Sequence, residues 1–133
     1  MLCLWEYTSN RRNYDGWHLT ADSDGRAALR AAVEAILSGG KTQVTVPLDR
    51  PTPRILAVPG NRRSGIVTVP RVVLDASERV RICRDSDVLR LPVGRQTAPV
   101  LIHALALIEA GEGDRALEPF DPSLWVWWYP RPA

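Results

Sequence analysis

The stretch Val100-Leu-Ile-His-Ala-Leu-Ala-Leu-Ile108 restricts the fold most, because it is apolar nearly all round. Thr97 is a natural N-cap with Pro99 in the first turn, and Gly111 is a natural stop, so a helix is expected from there to about Ala110. A helix without a polar face has to be covered on most sides. At ~13 residues it is far too short to span a bilayer, so the cover must come from the rest of the chain.

That cover is predicted to be β-structure. Leu2 to Thr8 alternates, with Leu2 and Leu4 on one face and Cys3, Trp5 and Tyr7 on the other. A polar, turn-rich loop from Ser9 to Gly16 leads into a short strand, Trp17 to Ala21. Asp22-Ser-Asp-Gly25 supplies N-cap candidates for a helix carrying Leu29, Ala32, Val33, Ile36 and Leu37 at helical spacing and stopping at Gly39-Gly40. Strands are then expected over Gln43–Leu48, Arg54–Val58, Ile66–Leu74, Glu78–Arg84 and Asp87–Val93, and a last one over Leu124–Tyr129 after a polar loop. Adjacent strands with two helices predict an α+β fold. The simplest version is a two-layer, mostly antiparallel sheet of about six to eight strands with two helices packed on one face.

The chain of 133 residues is expected to form a single domain, 1–133. At 45% hydrophobic and 24% charged it matches an ordinary folded composition. Seventeen basic residues face fifteen acidic ones, and all the basic residues except Lys41 are arginine. A net charge of +2 provides little steering toward nucleic acid or an anionic membrane. Cys3 and Cys83 are too few and too far apart for a disulfide framework or a zinc site, and both read as small core hydrophobes. With no signal-peptide pattern at Met1–Glu6 and no membrane-length apolar run, a cytoplasmic location is the default expectation.

Motifs for chemistry are weak. Asp22-Ser-Asp-Gly25 has the look of half a calcium loop, but Arg26 and Arg30 follow where further oxygen ligands would be needed, so helix capping is the better account. Asn61-Arg-Arg-Ser64-Gly65 reads as a hairpin turn, not a nucleophile elbow. Gly111-Glu-Gly-Asp114 follows a helix, whereas phosphate-binding glycines precede one. No metal or cofactor is expected. His18 and His103 could share acid and base roles in a small metal-free hydrolase or nuclease, provided the two imidazoles converge. Arg79, Arg81 and Arg90 share a solvent-facing side of the predicted strands, and Arg11-Arg12 and Arg62-Arg63 sit in loops. With nearby aromatics they could form a platform for single-stranded nucleic acid, but an alternating basic face is commonly just solvated and no RNA-binding signature accompanies it.

The C-terminal run Leu124-Trp-Val-Trp-Trp-Tyr129 carries three of the five tryptophans. As a strand it puts Leu124, Val126 and Trp128 under the helices, and Trp125, Trp127 and Tyr129 on the open face. Trp5 and Tyr7 would join them if the terminal strands pair. Each ring carries ~150–250 Å² of mostly apolar surface, more in sum than a monomer usually leaves exposed. Folded-back loops, a homodimer or a partner protein could each cover it.

Tyr14-Asp-Gly-Trp-His-Leu-Thr-Ala-Asp22, Gly111-Glu-Gly-Asp114 and Leu124-Trp-Val-Trp-Trp128 together resemble small uncharacterised bacterial proteins. Size and element pattern are also similar to the immunity proteins of polymorphic-toxin systems. The resemblance implies a protein that acts by binding a cognate toxin, without catalysis. Under it, Trp5, Tyr7, Trp125, Trp127 and Tyr129 are the expected anchors, with Arg79, Arg81 and Arg90 as a polar rim.

Overall fold

Period-2 alternation specifies faces but not partners, and the partners define this architecture. The computed structural model describes residues 1–9, 14–61 and 64–131. Its strands are β1 (Leu2–Tyr7), β2 (Trp17–Ala21), β3 (Gln43–Pro47), β4 (Ile66–Thr68), β5 (Arg71–Ala76), β6 (Cys83–Asp85), β7 (Val88–Val93), β8 (Arg115–Leu117) and β9 (Leu124–Val126). Its helices are α1 (Ser23–Leu37), α2 (Pro53–Ala57) and α3 (Ala98–Glu109). The α+β class and the mostly antiparallel pairing are as expected, with five of the seven strand pairs among the described residues antiparallel, but a single sheet is not. The strands form two mixed sheets, one ordered β4-β1-β2-β9-β8 and the other β3-β5-β7-β6. Parallel pairs, β2 with β9 and β5 with β7, sit inside each sheet.

The chain changes sheets at Val69-Pro70, which divides the expected Ile66–Leu74 strand into β4 and β5. Proline lacks the N–H that a continuing ladder needs, so the break falls there. The Arg54–Val58 strand is instead the helix α2. Thr52 caps it by accepting from the Ile55 N–H, and Pro53 opens its first turn. The same threonine-proline grammar precedes α3, but a five-residue apolar run does not distinguish strand from helix by period. The polar loop after α3 contains the short edge strand β8.

α1 begins where expected, with the Asp22 carboxylate accepting from the Gly25 N–H at 2.9 Å. Leu29, Ala32, Val33 and Ile36 are buried, whereas Leu37, expected on the same face, is 56% exposed in the last turn. α3 buries Leu101, Ala104, Leu105, Leu107 and Ile108 and exposes His103. Thr97 does not cap it: its hydroxyl oxygen accepts from Gly94 N–H and closes the preceding turn. No helix among the described residues is long and apolar enough to cross a membrane.

The two long helices pack on each other, and α1 reaches strands of both sheets. One core therefore joins the inner faces of the two sheets, from Leu2, Leu4 and Leu19 to Val72, Leu74, Leu89 and Leu91. A second, smaller core lies on the opposite face of the first sheet. It contains Cys3, Trp5, Tyr7, Ile55 and Trp127, with Tyr14, Leu56, Trp125, Trp128 and Tyr129 around it. α2 supplies Ile55 and Leu56, so this short helix is part of what covers the aromatic face.

Gly16 lets the C-terminal segment enter the first sheet. Its φ is +120°, and a Cβ there would lie 2.2 Å from the Ser123 carbonyl oxygen, which accepts from the Trp17 N–H. Gly39, at φ +78°, has open space where a Cβ would go. Gly39→Ala is expected to cost only the left-handed strain, ~1–2 kcal/mol. Gly16→Ala adds a backbone clash and should cost ~2–4 kcal/mol in urea unfolding. Equal costs at the two positions would refute the close approach.

Candidate functional site

The register places a row of rings across three strands. Trp5 of β1 lies opposite His18 of β2, and His18 lies opposite Trp125 of β9. Side chains directly opposite on one face of a sheet are neighbours, so the rings stack. The imidazole is 5.6 Å from Trp5 at an interplanar angle of 22°, and 6.0 Å from Trp125 at 10°. Beyond the end of β9, Trp127 lies 6.1 Å from His18 at 21°. Tyr7 meets His18 edge-on at 4.7 Å, and Tyr14 closes the group against Trp125 and Trp127.

His18 is wholly buried, and both its ring nitrogens are occupied. The Trp127 indole N–H donates to Nδ1 at 2.9 Å, and Nε2 lies 2.9 Å from the Tyr14 carbonyl oxygen. An indole can only donate and a carbonyl can only accept, so the partners select the neutral tautomer with its proton on Nε2. Burial pushes the pKa down to about 4, against the opposing hydrogen bond to Tyr14. Neither of the carboxylates near it in sequence, Asp15 and Asp22, is a hydrogen-bond partner of this ring.

His103 is exposed on α3 and is not among the rings around His18. The pair needed for acid-base catalysis is therefore not assembled. Burial likewise pushes the Cys3 thiol up to about 12, away from nucleophilic use. Cys3 is the core residue the sequence suggested, but Cys83 is exposed. Among the described residues, no group of three or more His, Cys, Asp or Glu side chains is placed to hold a metal.

The expected anchors divide by burial. Trp5, Tyr7 and Trp127 are 0%, 1% and 2% exposed, so they present no contact area to a partner. The ladder, Tyr14 and α2 enclose them. Trp125 and Tyr129 stay half-buried, as does Trp128, which strand alternation had assigned to the helix side. The alternation lapses because β9 ends at Val126; Trp128 then packs edge-on against Trp127 at 6.2 Å. Tyr129 lines a shallow depression of about 540 Å³ with Thr52, Pro53, Arg54 and Pro130. Neither Trp128 nor Arg54 was singled out by the sequence, although the Thr52-Pro53 cap could have revealed the helix that carries Arg54.

Arg79, Arg81 and Arg90 do come together, but on the second sheet. They line a pocket of about 270 Å³ with Asp75, Ser77 and Cys83. The expected single aromatic and arginine surface is thus two features on different sheets. Arg11, Arg12, Arg62 and Arg63 lie outside the described residues. Comparison of the chain with protein-family models, curated proteins and solved structures finds no match.

The buried imidazole makes stability depend on pH with a definite sign. Between an unfolded pKa of about 6.5 and a folded one of about 4, the unfolded chain binds a proton that the native state refuses. Stability is therefore greatest above pH 6.5 and falls on acidification through this window, by on the order of 3 kcal/mol for this group. His18→Asn keeps an acceptor near Trp127 but cannot titrate. Urea unfolding from pH 7 to 4 should give a shallower loss for His18→Asn than for the wild type; parallel curves would exclude the neutral buried imidazole.

Proposed function

We propose that this protein acts by binding another protein, with no chemistry of its own, and most concretely as an immunity-type inhibitor that occludes a toxin. The observation that carries this reading is the set of half-exposed rings, Trp125, Trp128 and Tyr129, on a face whose other aromatics are locked. Rings held by stacking and hydrogen bonds lose little conformational freedom when a partner covers them. Trp, Tyr and Arg are also the residues that dominate binding energy at protein interfaces. Arg54 adds an exposed guanidinium beside Tyr129, and the depression there offers concavity.

The revised anchors are thus Trp125, Trp128 and Tyr129, with Arg54 at the rim, while Trp5, Tyr7 and Trp127 support them from below. The hydrolase alternative would need His18 and His103 to meet, and His103 is not among the rings around His18.

Immobilised wild type and Trp125→Ala/Trp128→Ala should be compared for capture of protein from the source cells, after circular dichroism and unfolding midpoints show both folded. Truncating a central aromatic is expected to weaken binding by on the order of 30-fold or more. The captured protein should arrest growth when expressed alone and be tolerated with the wild-type chain. Undiminished capture by the folded double variant would overturn the assignment of the surface.

A further inference from the structure

The second sheet carries a feature that the aromatic surface does not use. Arg90 lies mid-strand on β7, directly opposite Cys83 of β6 and Val73 of β5. Its guanidinium is held by Asp75 at 3.3 Å and approached by Asp85 at 3.8 Å. Asp75 in turn accepts from the Gln43 amide at 2.6 Å, so this side of the pocket is positioned by three strands. Arg79 and Arg81 enter from the segment before β6. Among the described residues, neither has a carboxylate within ion-pair distance. The Ser77 hydroxyl oxygen accepts from the Arg79 backbone N–H, which leaves its proton available to donate.

Three guanidiniums therefore line one pocket with a single carboxylate, Asp75, which is already engaged by Arg90 and Gln43. Clustering like charges is unfavourable unless a counter-charge enters, and guanidinium matches the planar spread of oxyanion oxygens. The hydroxyl of Ser77 and the thiol of Cys83 add further donors. A volume of about 270 Å³ suits a small ligand. We propose that this pocket binds a doubly charged oxyanion of phosphate type, as the free ion or as a phosphate monoester, between Arg79, Arg81 and Arg90. Its place on the other sheet makes it independent of the aromatic surface.

Isothermal titration with inorganic phosphate, against chloride at matched ionic strength, tests the site. A single saturable phosphate event is expected, weakened at least tenfold in Arg79→Gln/Arg81→Gln and unchanged in Trp125→Ala/Trp128→Ala. Phosphate should also slow alkylation of Cys83 by iodoacetamide several-fold in the wild type, Cys3 being buried. Titration with phenyl phosphate separates the sources: comparable or tighter binding marks a monoester site, and weaker binding marks the free ion. Chloride reproducing the phosphate signal, or the folded arginine variant binding as the wild type does, would overturn the proposal.

Discussion

Trp127 ties the end of the chain to its beginning, and the outer core depends on that tie. Its indole N–H donates to His18, its backbone N–H to the Leu19 carbonyl, and its carbonyl accepts from the Thr20 hydroxyl. Three consecutive residues of β2 thus fasten one residue over 100 positions away in the chain. The Trp127 carbonyl and the Thr20 hydroxyl are paired out of reach of water, where unpaired polar groups are costly. The same contacts dictate the state of His18. An imidazole whose nitrogens already have a fixed donor and a fixed acceptor cannot take a second proton without losing the Trp127 bond.

This arrangement converts an apparent excess of aromatic surface into a layered structure. Innermost rings provide packing, and the outer ones, Trp125, Trp128 and Tyr129, are half-covered on that base. Some strain remains unrelieved: the Trp5 indole N–H and the Tyr7 hydroxyl are buried without hydrogen-bond partners among the described residues. Such groups cost free energy that the surrounding apolar contacts must offset. A rigid surface that retains exposed ring edges is well suited to recognition, because its conformational cost is met on folding.

Much of the local structure was legible. The faces of β1 and β9 follow from alternation: Leu2, Leu4, Leu124 and Val126 enter the main core, while Cys3 and Trp5 enter the other and Trp125 packs against it. α1 is delimited by Asp22 and Gly39. The expected Glu78–Arg84 strand forms only from Cys83 on, so the exposure of Arg79 and Arg81 does not rest on strand period. Trp128 escaped this reasoning because periodicity holds only while the strand lasts. α2 escaped because five residues are too few to display a period. The depth of the aromatic group was not legible either, since it rests on Tyr14 and Ile55 arriving from distant segments.

By itself the sequence determined which residues are apolar on which face, where the two long helices start and stop, and that the fold is α+β. These are properties of neighbours in the chain, governed by backbone geometry and short-range hydrogen bonding. Only the tertiary structure decided that the described strands form two sheets, that β9 lies parallel to β2, and that His18 is a sealed neutral ring. Those outcomes depend on which distant segments meet, and pairing free energies between segments far apart leave no periodic mark on either one.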